Sequence, residues 1–120
     1  MSDVCVHGAT AAGVAAAVAA RAAGATTTLV EPGTHVGGMV SGGVGWTDVG
    51  DTRVNRGFAL RFYDEAARHY DAPLWRVNGA EPHVADGLLT TMLDGADVRL
   101  AERLVPDAAC RGIAVQDVEA

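Results

Sequence analysis

The stretch VHGATAAGVAAA, residues 6–17, sets two glycines, Gly8 and Gly13, five apart between a short apolar run and an alanine-rich segment. Before it, DVCVH (3–7) is brief, β-prone and ended by Gly8, which predicts a buried strand. After it, AAGVAAAVAARAA (11–23) predicts a helix. Alanine is the best helix former, Val14 and Val18 stand four apart, and Gly24 is a natural stop. ATTTLVE (25–31) is β-branched and apolar and is broken by Pro32 and Gly33, which predicts a second strand. Strand, glycine turn, helix and strand within about thirty residues spell a βαβ unit, 3–31.

The turn itself reads Gly8-Ala9-Thr10-Ala11-Ala12-Gly13, against the dinucleotide-binding pattern G-x-G-x-x-G. Gly8 allows the sharp exit from the strand, and Gly13 lets the helix lie close to the sheet. The middle glycine is replaced by Thr10, which adds a Cβ where backbone approaches a pyrophosphate but also brings a hydroxyl that can donate. The helix N-terminus adds amides without intrahelical acceptors and a positive dipole end. Glu31 lies eighteen residues after Gly13, at the end of the second strand, where an acid accepts hydrogen bonds from ribose hydroxyls and disfavours a 2′-phosphate. A plainer reading exists for each part: a glycine pair in an alanine-rich segment arises by chance, and Glu31 can be a polar strand end before Pro32. The register of strand, turn, helix, strand and acid together favours dinucleotide binding, with FAD and NAD both open at this point.

Composition narrows the class further. At 120 residues the chain is one domain at most, short for an enzyme that holds both a large cofactor and a substrate. Net charge is −6, so nucleic acid is an unsuitable partner. All nine basic residues are arginine, which excludes a P-loop lysine and a Schiff-base lysine. Cys5 and Cys110 form no CxxC pair, and His7, His35, His69 and His83 show no HxxxH spacing, so no metal site is expected. Unpaired cysteines fit a reducing, cytoplasmic setting. The Ala/Val run from Ala9 to Ala20 lacks the basic region of a signal peptide, and no apolar stretch is long enough to span a membrane.

Residues 33–57, GTHVGGMVSGGVGWTDVGDTRVNRG, form a long glycine-rich loop whose Met, Val and Trp content argues for a functional segment rather than disorder. GFALRFYDEAARHY (57–70) predicts a helix with Phe58, Phe62, Ala66 and Tyr70 on one stripe, expected to cover the glycine loop. A second amphipathic helix is predicted from Pro82 to Leu93, with proline at its first position. DVRLAERLV then reads as one strand and GIAVQDVEA as another.

The segment from Gly8 to Gly50 resembles the start of the bacterial FAD-dependent oxidoreductases that carry a glutathione-reductase-type FAD domain. In that family an E-P-x-x-x-x-G-G-M-x-x-x-G segment follows the second strand; here it is Glu31, Pro32, Gly37, Gly38, Met39 and Gly43. EPHVADGLLTTML (81–93) resembles the family's helix before the third parallel strand. The resemblance implies an α/β fold, a Rossmann-like three-layer FAD/NAD(P)-binding domain, and FAD as cofactor. It implies that Gly8, Ala9, Thr10, Ala11, Ala12 and Gly13 hold pyrophosphate and Glu31 the adenosine ribose. Gly37, Gly38 and Met39 would meet the pyrophosphate or ribityl chain, Ser41, Gly42 and Gly43 the flavin side, and Val105 the adenine through its backbone. Bare Gly37 and Gly38 leave no side chain between backbone and ligand, which agrees with that role. Thr10 and His7 depart from the family pattern. Family members run to several hundred residues, so the chain resembles an N-terminal portion, a truncated non-catalytic product, or one piece of a split domain that a second chain would complete; the glycine-rich flavin loop (33–57) and the helices and third strand (57–105) would follow the βαβ unit within it.

The remaining candidates have ordinary structural readings. His69 suits a solvated helix face and His83 a helix start, while His35 inside the loop is a candidate flavin neighbour. Asp48 reads as a catalytic acid or a loop cap, and Trp46 as a flavin neighbour or a buried anchor. Cys5 is expected to be a buried residue on the first strand. No catalytic residue and no substrate can be named, because in a flavoenzyme the redox chemistry belongs to the cofactor.

Overall fold

A computed structural model of the chain describes residues 1–44, 50–73, 79–106 and 113–118. Trp46, Asp48 and Cys110 lie outside the described residues. The expected opening unit is present as strand β1 (Val4–His7), helix α1 (Ala11–Ala22) and strand β2 (Thr27–Glu31). Helix α1 ends as its sequence dictates. Gly24 sits at φ +90°, and its N–H donates to the Arg21 carbonyl at 2.8 Å while the Ala25 N–H reaches the Ala20 carbonyl at 3.1 Å. Those two bonds satisfy carbonyls that the last helical turn leaves open.

Two further helices follow, α2 (Gly57–His69) and α3 (Pro82–Met92), and then strand β3 (Asp97–Leu100). Strands β1, β2 and β3 make a parallel sheet with β2 in the middle. Cys5 pairs with Thr28, Val6 with Leu29, and Leu29 in turn with Val98. The core lies on the helical side of this sheet. Val14 and Ala17 of α1, Leu29 of β2, Phe62 and Ala66 of α2, and Leu89 and Leu93 near α3 are all nearly or fully buried there. The predicted stripe on α2 holds at Phe62 and Ala66, with Phe58 and Tyr70 half-buried at its margins. Burying side chains of this size stabilises a fold by about 1.5–3 kcal/mol each.

DVRLAERLV, read from the sequence as one strand, is two. Ala101 adopts φ +57° and breaks it into β3 and β4 (Glu102–Pro106). β4 pairs antiparallel with β5 (Ile113–Asp117), with Val105 opposite Ala114, and this hairpin lies against β2. β-Propensity gives no warning of such a break, because alanine has no intrinsic preference for the left-handed region.

Cys5 also departs from expectation: it is exposed, not buried. β1 is an edge strand of the described sheet. Val6 turns toward α1, with its Cγ1 3.5 Å from where a Cβ on Gly13 would stand. Strand alternation therefore puts Cys5 and His7 on the opposite face, where the edge position of β1 leaves them exposed while their partners on β2, Thr28 and Val30, are buried. The unusual His7 is polar where that face meets solvent.

Candidate cofactor site

The turn between β1 and α1 is built by two glycines with different duties. Gly8 takes φ +96°, left-handed backbone that a side-chain-bearing residue enters only at a cost, and its N–H donates to the Val30 carbonyl at 2.7 Å. Gly13 is required by space. A Cβ there would lie 1.9 Å from the Gly8 carbonyl oxygen, which no relaxation of a side chain can relieve. Between them Thr10 caps α1: its backbone is extended and its Oγ1 accepts the Gly13 N–H at 3.2 Å. The Thr10 proton is not used in that bond. No acidic residue occupies the first turn of α1, so its amides and dipole end carry no carboxylate from the helix itself. Ala9 is fully buried, whereas Thr10 and Ala12 are exposed and Ala11 is half-buried at the helix tip.

Glu31 comes to this turn. Its Oε2 accepts the Ala9 N–H at 2.6 Å and its Oε1 accepts the Gly33 N–H at 2.7 Å. An ionised carboxylate offers about four acceptor positions, so two remain beyond these bonds. Pro32 is exposed between them and fixes the turn that returns Gly33 to the acid.

The glycine loop docks on the same turn. Gly37 (φ +111°) donates its N–H to the Ala9 carbonyl at 2.6 Å and pairs with Thr10 in an isolated parallel bridge. A Cβ on Gly37 would stand 2.6 Å from Ser41 Oγ and 2.7 Å from Leu89 Cδ1; one on Gly38 would stand 3.3 Å from Thr10. Both glycines thus have a reason inside the protein, close packing of loop on turn and helix, and the Gly37 amide is committed to Ala9. Ser41 is buried and donates its hydroxyl to the Val36 carbonyl. Met39, 78% exposed, and Gly42 and Gly43 line the outer side of the loop. Val105 lies in β4, the strand beyond Ala101 that lies against β2. His35 is exposed at the start of the loop, and His69 and His83 are exposed on or beside their helices.

Sequence reading missed Asp86. From the second turn of α3 its Oδ1 accepts the Val36 N–H at 2.8 Å, across fifty residues of chain. The available signal was a carboxylate set among four apolar neighbours, Val84, Ala85, Leu88 and Leu89, on an amphipathic helix. An apolar cleft of about 120 Å³ between Ala11, Val40, Phe58, Phe62 and Leu89 is smaller than the roughly 300 Å³ of an ordinary ligand pocket. No group of three His, Cys, Asp or Glu side chains that could hold a metal occurs among the described residues. No helix among them is long and apolar enough to cross a membrane.

Comparison with known proteins agrees with this architecture. Among solved structures, an oxidised steroid monooxygenase bound to NADP is 22% identical, with a TM-score of 0.58 over 96% of this chain. OTEMO in complex with FAD and NADP is 19% identical, with a TM-score of 0.54 over 98% of this chain. At such identities the likeness is one of fold, an α/β, Rossmann-like arrangement. The chain spans about a quarter of those proteins, 23% of each. No curated protein sequence matches it. The family model for FAD dependent oxidoreductases matches residues 3–119, nearly the whole chain. The chain belongs to the FAD-dependent oxidoreductase family, whose cofactor is FAD.

Proposed function

We propose that this chain supplies the FAD-binding part of a flavin-dependent oxidoreductase, holding the pyrophosphate on the Gly8–Gly13 turn, the adenosine ribose on Glu31, and the ribityl–flavin side along Gly37–Gly43. One observation supports this most directly: the Glu31 carboxylate sits on the turn itself, 2.6 Å from the Ala9 nitrogen, with acceptor positions to spare for two hydroxyls. The exposed tip of α1 has the amides and the dipole that a diphosphate needs, with no acid in the helix's own first turn. Thr10 keeps a proton to donate where the usual pattern has glycine.

Bound FAD supplies a ring that accepts and returns electrons or hydride. The chain's own residues bind and orient it. Thr10 and the first-turn amides neutralise the phosphates, Glu31 fixes the sugar, and the loop sets the direction in which the flavin leaves the turn. Ser41 acts through the loop backbone in this scheme, since its hydroxyl is occupied by Val36. Substrate and electron acceptor chemistry is assigned to polypeptide outside the matched quarter of the related structures, in the same or a partner chain. A reducing, cytoplasmic setting suits the two cysteines far apart in the sequence.

The test is a visible spectrum. Purified chain reconstituted with FAD and passed through gel filtration is expected to keep flavin bands near about 370 and about 450 nm. Glu31→Ala is expected to lose them at the same protein concentration. A wild-type chain that stays colourless after reconstitution overturns the reading, and one that instead binds NADH points to a nicotinamide site.

A further inference from the structure

We propose that Asp86 is a positioning residue for the cofactor site, holding the glycine loop in its ligand-ready form from α3. The inference rests on the FAD reading above. Val36 is gripped on every side. Its N–H donates to Asp86 Oδ1 at 2.8 Å, its carbonyl accepts the Ser41 hydroxyl, and its side chain is only 2% exposed. The next residue, Gly37, passes its N–H to Ala9 in the turn at 2.6 Å. Asp86 therefore stands two links from the turn: carboxylate to Val36, and Gly37 to Ala9. Leu89, one helical turn further along α3, closes on Gly37 from the same side.

A carboxylate gains nothing for α3 at this position. Aspartate is a poor interior helix former, and its neighbours Ala85 and Leu89 are core residues. Its use is the bond to Val36, a charge-assisted bond to a backbone amide. Without it Val36 loses the one bond that ties the loop's entry to α3, and the Gly37–Gly38 step is free to leave Thr10. A loop ordered before the cofactor arrives binds more tightly than one ordered by it.

Three variants and two readouts test this. FAD affinity is measured by titration, and backbone amide exchange is measured on the free chain. In Asp86→Ala the FAD dissociation constant is expected to rise about tenfold to a hundredfold, the loss of one bond to a charged acceptor. Exchange at Val36 and Gly37 is expected to accelerate, with the β2 amides unchanged. Asp86→Asn, which keeps an acceptor oxygen, is expected to restore both to near the wild-type values. Asp86→Ser, polar but too short to reach, repeats the deletion should the alanine variant misfold. Unchanged exchange at Val36 in the deletions overturns the clamp. Accelerated exchange with undiminished FAD affinity overturns its role in positioning. A wild-type chain that binds no FAD overturns the FAD reading and this role together, and it is told apart from a failed clamp because the exchange comparison needs no cofactor.

Discussion

Two glycine-bearing segments meet at one point in this molecule and reach it by different means. In the turn at residues 8–13, everything that demands glycine is local: the Gly13 position abuts the carbonyl of Gly8, and Thr10 caps the helix that Gly13 enters. In the loop at residues 36–43 the demand is shared: Ser41 crowds Gly37 from nearby, while Leu89 on α3 and Thr10 in the turn crowd Gly37 and Gly38 from far along the chain. The glycines of the turn thus answer to the turn's own backbone, whereas those of the loop answer also to its surroundings. Local demand makes the turn intolerant of change; distributed demand makes the loop adjustable, with Asp86 as one of its fastenings.

Four substitutions break or sharpen that contrast. Gly13→Ala carries the largest effect, because its Cβ would meet backbone oxygen at 1.9 Å. It is expected to cost about 3 kcal/mol or more, at the upper end for overpacking, read as a fall in the denaturation midpoint together with loss of FAD uptake. Gly37→Ala meets side chains instead, at Ser41 and Leu89, and these can shift; its φ of +111° remains a burden. About 2 kcal/mol is expected, and equal losses at both positions would erase the distinction between rigid turn and adjustable loop. Thr10→Ala removes the helix cap and is expected to cost about 1 kcal/mol, with Thr10→Ser close to wild type; urea denaturation of the three proteins decides it.

The smallest effect concerns the chain start. Hydrogen bonds from the Thr26 side chain and backbone hold the Asp3 carboxyl below its ordinary value of 3.8. A carboxyl lowered in the folded state stabilises the fold above its unfolded value and ceases to do so as pH falls through the folded one. The stability gap between wild type and Asp3→Ala is therefore expected to be full at neutral pH and to narrow below about pH 4. A gap that is constant across that range would remove the charge from the account.

The same contrast explains which features were legible. The βαβ unit, the Gly24 stop, the proline at the start of α3 and the approach of Glu31 to the turn follow from neighbours in sequence, where periodicity, capping and φ preference act. The reason for Gly37 and Gly38 was legible only as small size. That the packing partner is Leu89 and Thr10 follows from how the helices stack. Asp86 was invisible for the same cause, since a carboxylate on an amphipathic helix ordinarily faces water. Cys5 misled because strand character was read correctly while the place of β1 at the sheet edge was not, and a strand pattern does not say where in the sheet its strand lies. Ala101 was lost because nothing in alanine announces a left-handed residue.

That Ala101 joint has a mechanical meaning. An alanine in left-handed backbone costs about 1–2 kcal/mol, and two bonds offset it. Its N–H donates to the Gly33 carbonyl at 2.8 Å, and its own carbonyl accepts the Val118 N–H at 2.6 Å. Gly33 is also the residue whose amide clasps Glu31. The elbow where the strand changes sheets is therefore riveted to the acid's own turn. Tilting the β4–β5 hairpin would pull on the carboxylate, so the small sheet and the Glu31 end of β2 behave as a single lever rather than as neighbours.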